Sequence, residues 1–543
     1  MKKGTAKKKV VPFFMYFRLY RRRKTVYDGT TSNDEASETC LEGDRMSFFS
    51  TRGGACVTAS QSILWGLAKD GGLYVPSLFP QISSERLAAL CGQSYRQRAA
   101  RILRDFLEDY SIAEIEQSVD AAYAADAWDH PDVAPVRTLS EGVHVLELFH
   151  GPTLAFKDIA LKLLPHLVRL AAEKNGETRE VSIIVATSGD TGKAALEGFR
   201  DVPGTSCSVF YPHGGVSRVQ ELQMTTTGGS NTHVIGVRGN FDQAQTGVKR
   251  LFGDPAFHER MDRLGKLPSS ANSINFGRLA PQVVYYFTAY TDLVQRGAIR
   301  MGQGVNFVVP TGNFGDILAG YYAMRMGLPI RRLICASNRN NVLTDFFREG
   351  TYYTHRTFFK TMSPSMDILV SSNLERLLYE CAGRDGALVR TWMEQLSSCG
   401  SFSIGGQRLG DLQKVFWAGY ADDNMTADEI RLVYERKHYV MDPHTAVGSY
   451  VLRQYREQTR DQTPAVLVAT ASPYKFAPDV ASSLLGAQAV EGLDFLACAE
   501  KVEQLSGVPI PAQVRDLASL PVRHTAVCDP DGMGDALLCA YLS

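Results

Sequence analysis

The chain of 543 residues has no excess charge of either sign, since 58 Lys and Arg stand against 58 Asp and Glu. That balance removes the electrostatic footprint of a nucleic-acid binder or of a polybasic protein that lies on membranes, so neither is expected as a partner. It also lacks CxxC and HExxH, and its ten cysteines and eleven histidines are scattered. A zinc site needs clustered ligands at short spacing, so no metal is expected. Dispersed cysteines are expected to be thiols in a reducing compartment, acting as small hydrophobes in a cytoplasmic protein. Near the start, the apolar stretch Val10–Phe17 is short and interrupted by Pro12, too little to span a bilayer.

What is there is 44% hydrophobic and 10% aromatic, a composition that folds. At roughly 150 residues per domain, two to four domains are expected, with a core large enough to need no disulfide or metal. Residues 1–45 stand apart, with eleven Lys and Arg and six acids. They read as a basic extension or as sequence upstream of a start at Met46. The second reading is favoured, because an orderly pattern begins at MSFFSTRGG. Neither reading gives this segment the chemistry.

Apolar periodicity predicts amphipathic helices at Glu85–Leu90 and Ile102–Ala125, and His130, Pro131 and Pro135 mark a boundary. Beyond it one unit recurs: a β-branched run, a turn rich in Gly and Ser/Thr, then a helix. Val181–Ala186 leads into Thr187–Gly192, Val305–Val309 into Pro310–Gly315, and Ala465–Ala469 into Thr470–Pro473. Fully apolar strands alternating with helices predict parallel sheets covered on both faces. Ligands then sit beyond the carboxyl ends of the strands, where all three polar turns fall.

Four segments carry chemistry. PTGNFGD (Pro310–Asp316) puts glycines at a turn from strand to helix, which presents backbone N–H groups to a phosphate or serves as an ordinary turn. TSGDTG (Thr187–Gly192) has the same form plus hydroxyls. Lys193 follows it, but Thr187 and Ala194 stand where a Walker A motif requires Gly and Ser/Thr. FHGPTLAFKD (Phe149–Asp158) sets Lys157 among apolar neighbours, where a lowered pKa would suit a Schiff base, although most single lysines are surface charges. NSINFGR (Asn272–Arg278) offers amide, hydroxyl and guanidinium groups to a phosphate, or simply caps a helix.

Taken in order with DGGLYVP (Asp70–Pro76), VSRVQELQMTT (Val216–Thr226) and ATASPYKF (Ala469–Phe476), these segments resemble the threonine synthases. The resemblance covers the chain from Met46 onward. It implies an α/β fold of two parallel-sheet lobes, of fold type II (the tryptophan synthase β-like type), with an additional N-terminal domain. The expected division is 46–135 for that domain, 136–175 with 300–543 for a large cofactor-binding lobe, and 176–299 for a small lobe.

The implied cofactor is pyridoxal 5'-phosphate, held by Lys157 as a Schiff base. Gly312, Asn313, Phe314 and Gly315 would bind its phosphate, with Asp316 at the end of that loop. Thr470 would face the pyridine nitrogen, and Asp190 would line the ring where the wider superfamily often has Asn. Ser188, Gly189 and Thr191 would meet the substrate carboxylate, and Asn272, Ser273 and Arg278 its phosphate. The implied reaction turns O-phospho-L-homoserine and water into L-threonine and phosphate, in a monomer or homodimer. Alternatives are a phospho-lyase releasing 2-oxobutyrate and ammonia, a serine/threonine dehydratase, a nucleotide-binding α/β protein without this cofactor, and a binding module without catalysis.

Overall fold

The runs Glu180–Ala186, Val305–Pro310 and Ala465–Ala469 are strands, as their β-branched composition dictates. The computed structural model describes residues 46–187 and 189–542. The basic extension and Ser188 lie outside the described residues.

Two sheets organise the chain. The larger has six strands in the order Phe416–Tyr420, Ile330–Ser337, Val305–Pro310, Ala465–Ala469, Val143–Glu147, Val136–Ser140. All its pairings are parallel except the last, where Val136–Ser140 returns antiparallel along the edge. The smaller sheet is wholly parallel, in the order Val527–Cys528, Thr232–Val237, Thr205–Pro212, Glu180–Ala186, Lys266–Ser269.

Alternation along each strand shows why the runs are apolar throughout. In the larger sheet, Phe307, Val309, Val466 and Val468 face the principal core, whereas Val308, Ile334 and Leu467 face a second core with the C-terminal helices. In the smaller sheet, Ile183, Val185 and Val209 join the principal core, while Ile184, Phe210 and Ile235 pack against Met533 and Leu537. The helix Phe276–Gln295 lies between the layers and is buried nearly all round. It packs on Lys157–Lys174, on Gly315–Arg325 and on Tyr95–Arg104.

Three features differ from the sequence reading. The expected helix Ile102–Ala125 is two helices, Tyr95–Arg104 and Ile112–Ala122. Ser111 starts the second with a capping box to Glu114, and such a box marks a new helix within one apolar pattern. The chain end, grouped by position with the larger lobe, pairs instead with the smaller sheet through Val527–Cys528. Finally, eight described cysteines are free, but Cys56 is disulfide-bonded, which corrects the expectation of ten thiols. Among the described residues no helix is long and apolar enough to cross a membrane, and no group of three His, Cys, Asp or Glu is arranged to hold a metal.

Candidate active site

Lys157 opens the helix Lys157–Lys174, directly after the Phe149–Phe156 loop. That loop is folded on itself: Asp158 accepts from Thr153 N at 2.8 Å and Thr153 Oγ1 at 2.7 Å. Leu154 takes a left-handed conformation with φ 58°. It is also fastened to the end of the central strand, where Phe156 N donates to Thr470 O at 2.9 Å. Lys157 and Thr470 are therefore set on one frame.

The Lys157 side chain is 13% exposed, and its Nζ lies 3.7 Å from Asp190 Oδ2. Burial lowers the amine pKa to about 8 against the pull of Asp190, helped by the like charges of Lys475 and Arg278. Asp190 sits at the first position of the helix Asp190–Phe199. The turn before it is drawn tight by Thr187 Oγ1, which accepts from Gly189 N and Gly192 N, both at 3.0 Å. Gly189 has φ 144°, and a Cβ there would meet Gln220 Nε2 at 2.5 Å. Burial would raise the Asp190 pKa, but Lys475 and Lys157 outweigh it and hold the carboxylate well below its usual range. Thr191, one residue further into the helix, is half-buried.

The Gly312–Gly315 turn ends at Phe314, which is left-handed (φ 65°) and gives the helix Gly315–Arg325 no side-chain cap. Its carbonyls are bound from behind: Ser371 Oγ donates to Gly312 O at 2.8 Å, and Asn373 N and Nδ2 both donate to Asn313 O at 3.1 Å. A Cβ on Gly312 would stand 2.7 Å from Ser365 O. An uncapped helix start with glycines is an anion cradle. Ser365 joins it to the other turn, because its Oγ donates to Asp190 Oδ2 at 3.1 Å. The carboxylate of Asp316, expected at the end of this loop beside the cofactor, is engaged by the neighbouring helix Phe276–Gln295. Its Oδ1 is taken by Tyr285 Oη at 2.6 Å and Tyr286 Oη at 2.8 Å, which ties the two helices together.

Arg278 is 4% exposed. Its Nη1 donates to Ala271 O at 2.9 Å, and its buried Nε has no partner. Among the described residues no carboxylate pairs with it, and burial lowers its pKa to about 10. A buried guanidinium without a counter-ion is a site for an anion. Asn272 lies exposed at the rim and Ser273 is half-buried.

The structure thus joins Lys157, Asp190, Thr470 and the 312–315 turn by direct contacts or through Ser365, and brings Arg278 within electrostatic reach. Three members escaped the sequence reading. Lys475 Nζ lies 3.1 Å from Asp190 Oδ1, and it was visible only as part of ATASPYKF. Ser365 N donates to His444 Nε2 at 3.2 Å, and His444 Nδ1 bonds Asp442 Oδ1 at 2.8 Å. Nothing in the sequence around Ser365 or His444 announced them.

A buried amine of lowered pKa, an anion cradle and a second, unpaired cation match an aldehyde that carries a phosphate together with an anionic substrate. The residues present fit pyridoxal 5'-phosphate.

Comparisons with known proteins agree. Residues 47–123 match the family described as threonine synthase N terminus, 133–471 that of pyridoxal-phosphate dependent enzymes, and 445–532 that of threonine synthase, C-terminal. The threonine synthase of Pseudomonas aeruginosa is 42% identical over 443 residues, 81% of this chain and 91% of that protein. Human threonine synthase-like 1 is 41% identical over 435 residues, 78% of this chain but 58% of that longer protein. Among solved structures, the pyridoxal-phosphate-bound threonine synthase from Brucella melitensis superposes with a TM-score of 0.82 at 38% identity, covering 92% of this chain and all of that one. Threonine synthase from yeast gives 0.81 at 32% identity, covering 91% and 98%.

Proposed function

Since this chain belongs to the threonine synthase family of pyridoxal-phosphate-dependent enzymes, we propose that it converts O-phospho-L-homoserine and water into L-threonine and phosphate. The observation that carries the assignment is the pairing of a buried, pKa-lowered Lys157 with a buried Arg278 that has no counter-ion. One group suits a carbonyl, the other a phosphate ester.

Lys157 would hold the cofactor through its ε-amine, and the 312–315 turn would receive the cofactor's phosphate. When bound, the cofactor supplies the sink for electrons released at the substrate's α-carbon. Lys157, once free, is the base for the α-proton, which it must pass on before the same amine can take the β-proton, and both protons return to the substrate at its γ- and α-carbons. An amine with pKa about 8 has a useful neutral fraction near neutral pH. Arg278 binds the substrate phosphate and meets the charge that grows on it as it leaves. A well-placed donor of this kind contributes about 3 kcal/mol to the barrier. Thr191 offers its hydroxyl to the carboxylate end, Gly189 leaves room for it by lacking a side chain, and Asn272 and Ser273 close the phosphate end. Water then adds at the β-carbon.

A second reading shares these residues up to loss of phosphate and releases 2-oxobutyrate and ammonia. Because both routes use every residue named above, only the product separates them. A nucleotide-binding α/β protein is set aside by family membership. The experiment is incubation of purified protein with O-phospho-L-homoserine, with threonine, 2-oxobutyrate and phosphate all quantified, and borohydride reduction followed by peptide mass spectrometry. Threonine with stoichiometric phosphate, and cofactor mass on Lys157, are expected. Keto acid as the main product selects the second reading, and cofactor mass on another lysine overturns the site.

A further inference from the structure

Lys475 is among the most deeply buried charged groups near the site, with a side chain 3% exposed. It belongs to the short turn Pro473–Phe476 that follows the central strand. Its ammonium meets Thr153 O at 2.8 Å and Asp190 Oδ1 at 3.1 Å. Thr153 lies in the loop before Lys157, and that loop is bridged to the strand end at Ala155 and Ala471. The amine is thus held on the frame that carries Lys157, on the opposite oxygen of the same carboxylate. Lys157 takes Oδ2 and Lys475 takes Oδ1.

We propose that Lys475 is the permanent counter-ion of Asp190, a positioning residue that keeps this carboxylate ionised and aimed while Lys157 passes between charged, neutral and covalently engaged states. The inference rests on the reading that Lys157 holds the cofactor. An amine that acts as nucleophile and base gives up its charge, and Asp190 then loses one of its two cations. Ser365 Oγ, at 3.1 Å, is a neutral donor and does not balance a buried carboxylate. Lys475 does, because it takes no part in the chemistry. It also prevents Asp190 from locking Lys157 as an ammonium. The charged groups acting here are Asp190, Lys475 and Arg278 on Lys157, with His444 reaching Asp190.

The test is competitive acetylation of the full-length, cofactor-free protein across pH, with the Lys157 peptide quantified by mass spectrometry. Lys475→Met leaves Asp190 to Lys157 alone, so the midpoint for Lys157 rises by roughly one pH unit or more. Asp190→Asn leaves Lys157 facing Lys475 and Arg278, so its midpoint falls. The double variant returns between the two. Lys475→Arg keeps the charge and stays close to the parent. A folded Lys475→Met protein with an unchanged midpoint overturns the proposal. Should Lys475→Met fail to fold, the double variant, which buries neither charge, is expected to recover the fold, and its failure to do so overturns the proposal equally. Cofactor mass missing from Lys157 of the parent protein removes the functional reading while these midpoints still decide the counter-ion.

Discussion

Arg376 Nη1 donates to Asn373 Oδ1 at 2.5 Å, and Asn373 in turn holds Asn313 O through its N and Nδ2 at 3.1 Å. The guanidinium is fully buried and also donates to Tyr74 O at 2.9 Å and Ile274 O at 2.6 Å. One side chain therefore ties the DGGLYVP strand, the NSINFGR loop and, through Asn373, the anion-binding turn. Arg376→Met removes donors from two backbone carbonyls, that of Tyr74 buried and that of Ile274 half-buried, and from one amide oxygen. Unfolding in urea is expected to show a loss on the order of 2–4 kcal/mol, and fluorescence titration a weaker affinity for pyridoxal phosphate. Unchanged cofactor affinity in a folded variant would show that the turn stands without this link.

Arg278 has a role separable from that of Lys157. Arg278→Met is expected to lower kcat/KM for the phosphorylated substrate about 100-fold or more, while cofactor capture on Lys157 persists. Arg278→Lys is expected to recover little, because an ammonium lacks the planar fork that grips two phosphate oxygens. Steady-state kinetics with both variants measure this. Parent-like kcat and KM in Arg278→Met would remove the guanidinium from the phosphate site.

The strands were legible because both faces of each sheet are covered, which forces unbroken β-branched runs such as VSIIVA and AVLVA. The turns were legible because close backbone approach admits only glycine, as at Gly189 and Gly312. Pairings made by tertiary contact left no such trace. Lys475 looks like any lysine until the strand end brings it to Asp190. Asp316 reads as part of the glycine turn until the helix Phe276–Gln295 offers two tyrosine hydroxyls to its carboxylate. Val527–Cys528 is too short to declare its sheet by pattern, and only the parallel register with Gly236–Val237 places it.

Gly312 gives a steric prediction. Its missing Cβ would stand 2.7 Å from the backbone oxygen of Ser365, a neighbour that cannot rotate away. Gly312→Ala must displace either the turn or the segment whose Ser365 Oγ reaches Asp190. Cofactor affinity is expected to fall about 10-fold or more, since 1.4 kcal/mol of strain suffices for that and overpacking commonly exceeds it. Equilibrium dialysis with pyridoxal phosphate reads the effect. Unchanged affinity would mean that the cradle tolerates a methyl group and is not in close contact with its ligand.

A cluster at the start of the Phe149–Phe156 loop makes stability depend on pH. His150 Nδ1 lies 2.5 Å from Asp129 Oδ1 and its Nε2 lies 3.1 Å from Glu147 Oε2. Glu147 also accepts from Tyr439 Oη at 2.9 Å and pairs with Arg137 Nε at 3.1 Å. Burial would lower the imidazole pKa, but the two carboxylates outweigh it and raise it to about 9. A histidine at about 6.5 when unfolded and about 9 when folded binds a proton in the native state alone between those values. Its contribution is therefore fully present below pH 6.5 and is lost as pH rises through 9. Asp129 is 45% exposed, so solvent screening reduces the gain to roughly 1–2 kcal/mol. The urea midpoint of the parent protein minus that of His150→Gln is expected to shrink between pH 6.5 and 9. Lys157, whose lowered pKa acts in the opposite sense above pH 8, is common to both proteins and cancels in that difference. A difference that stays constant across this window would mean that His150 is not held as an imidazolium.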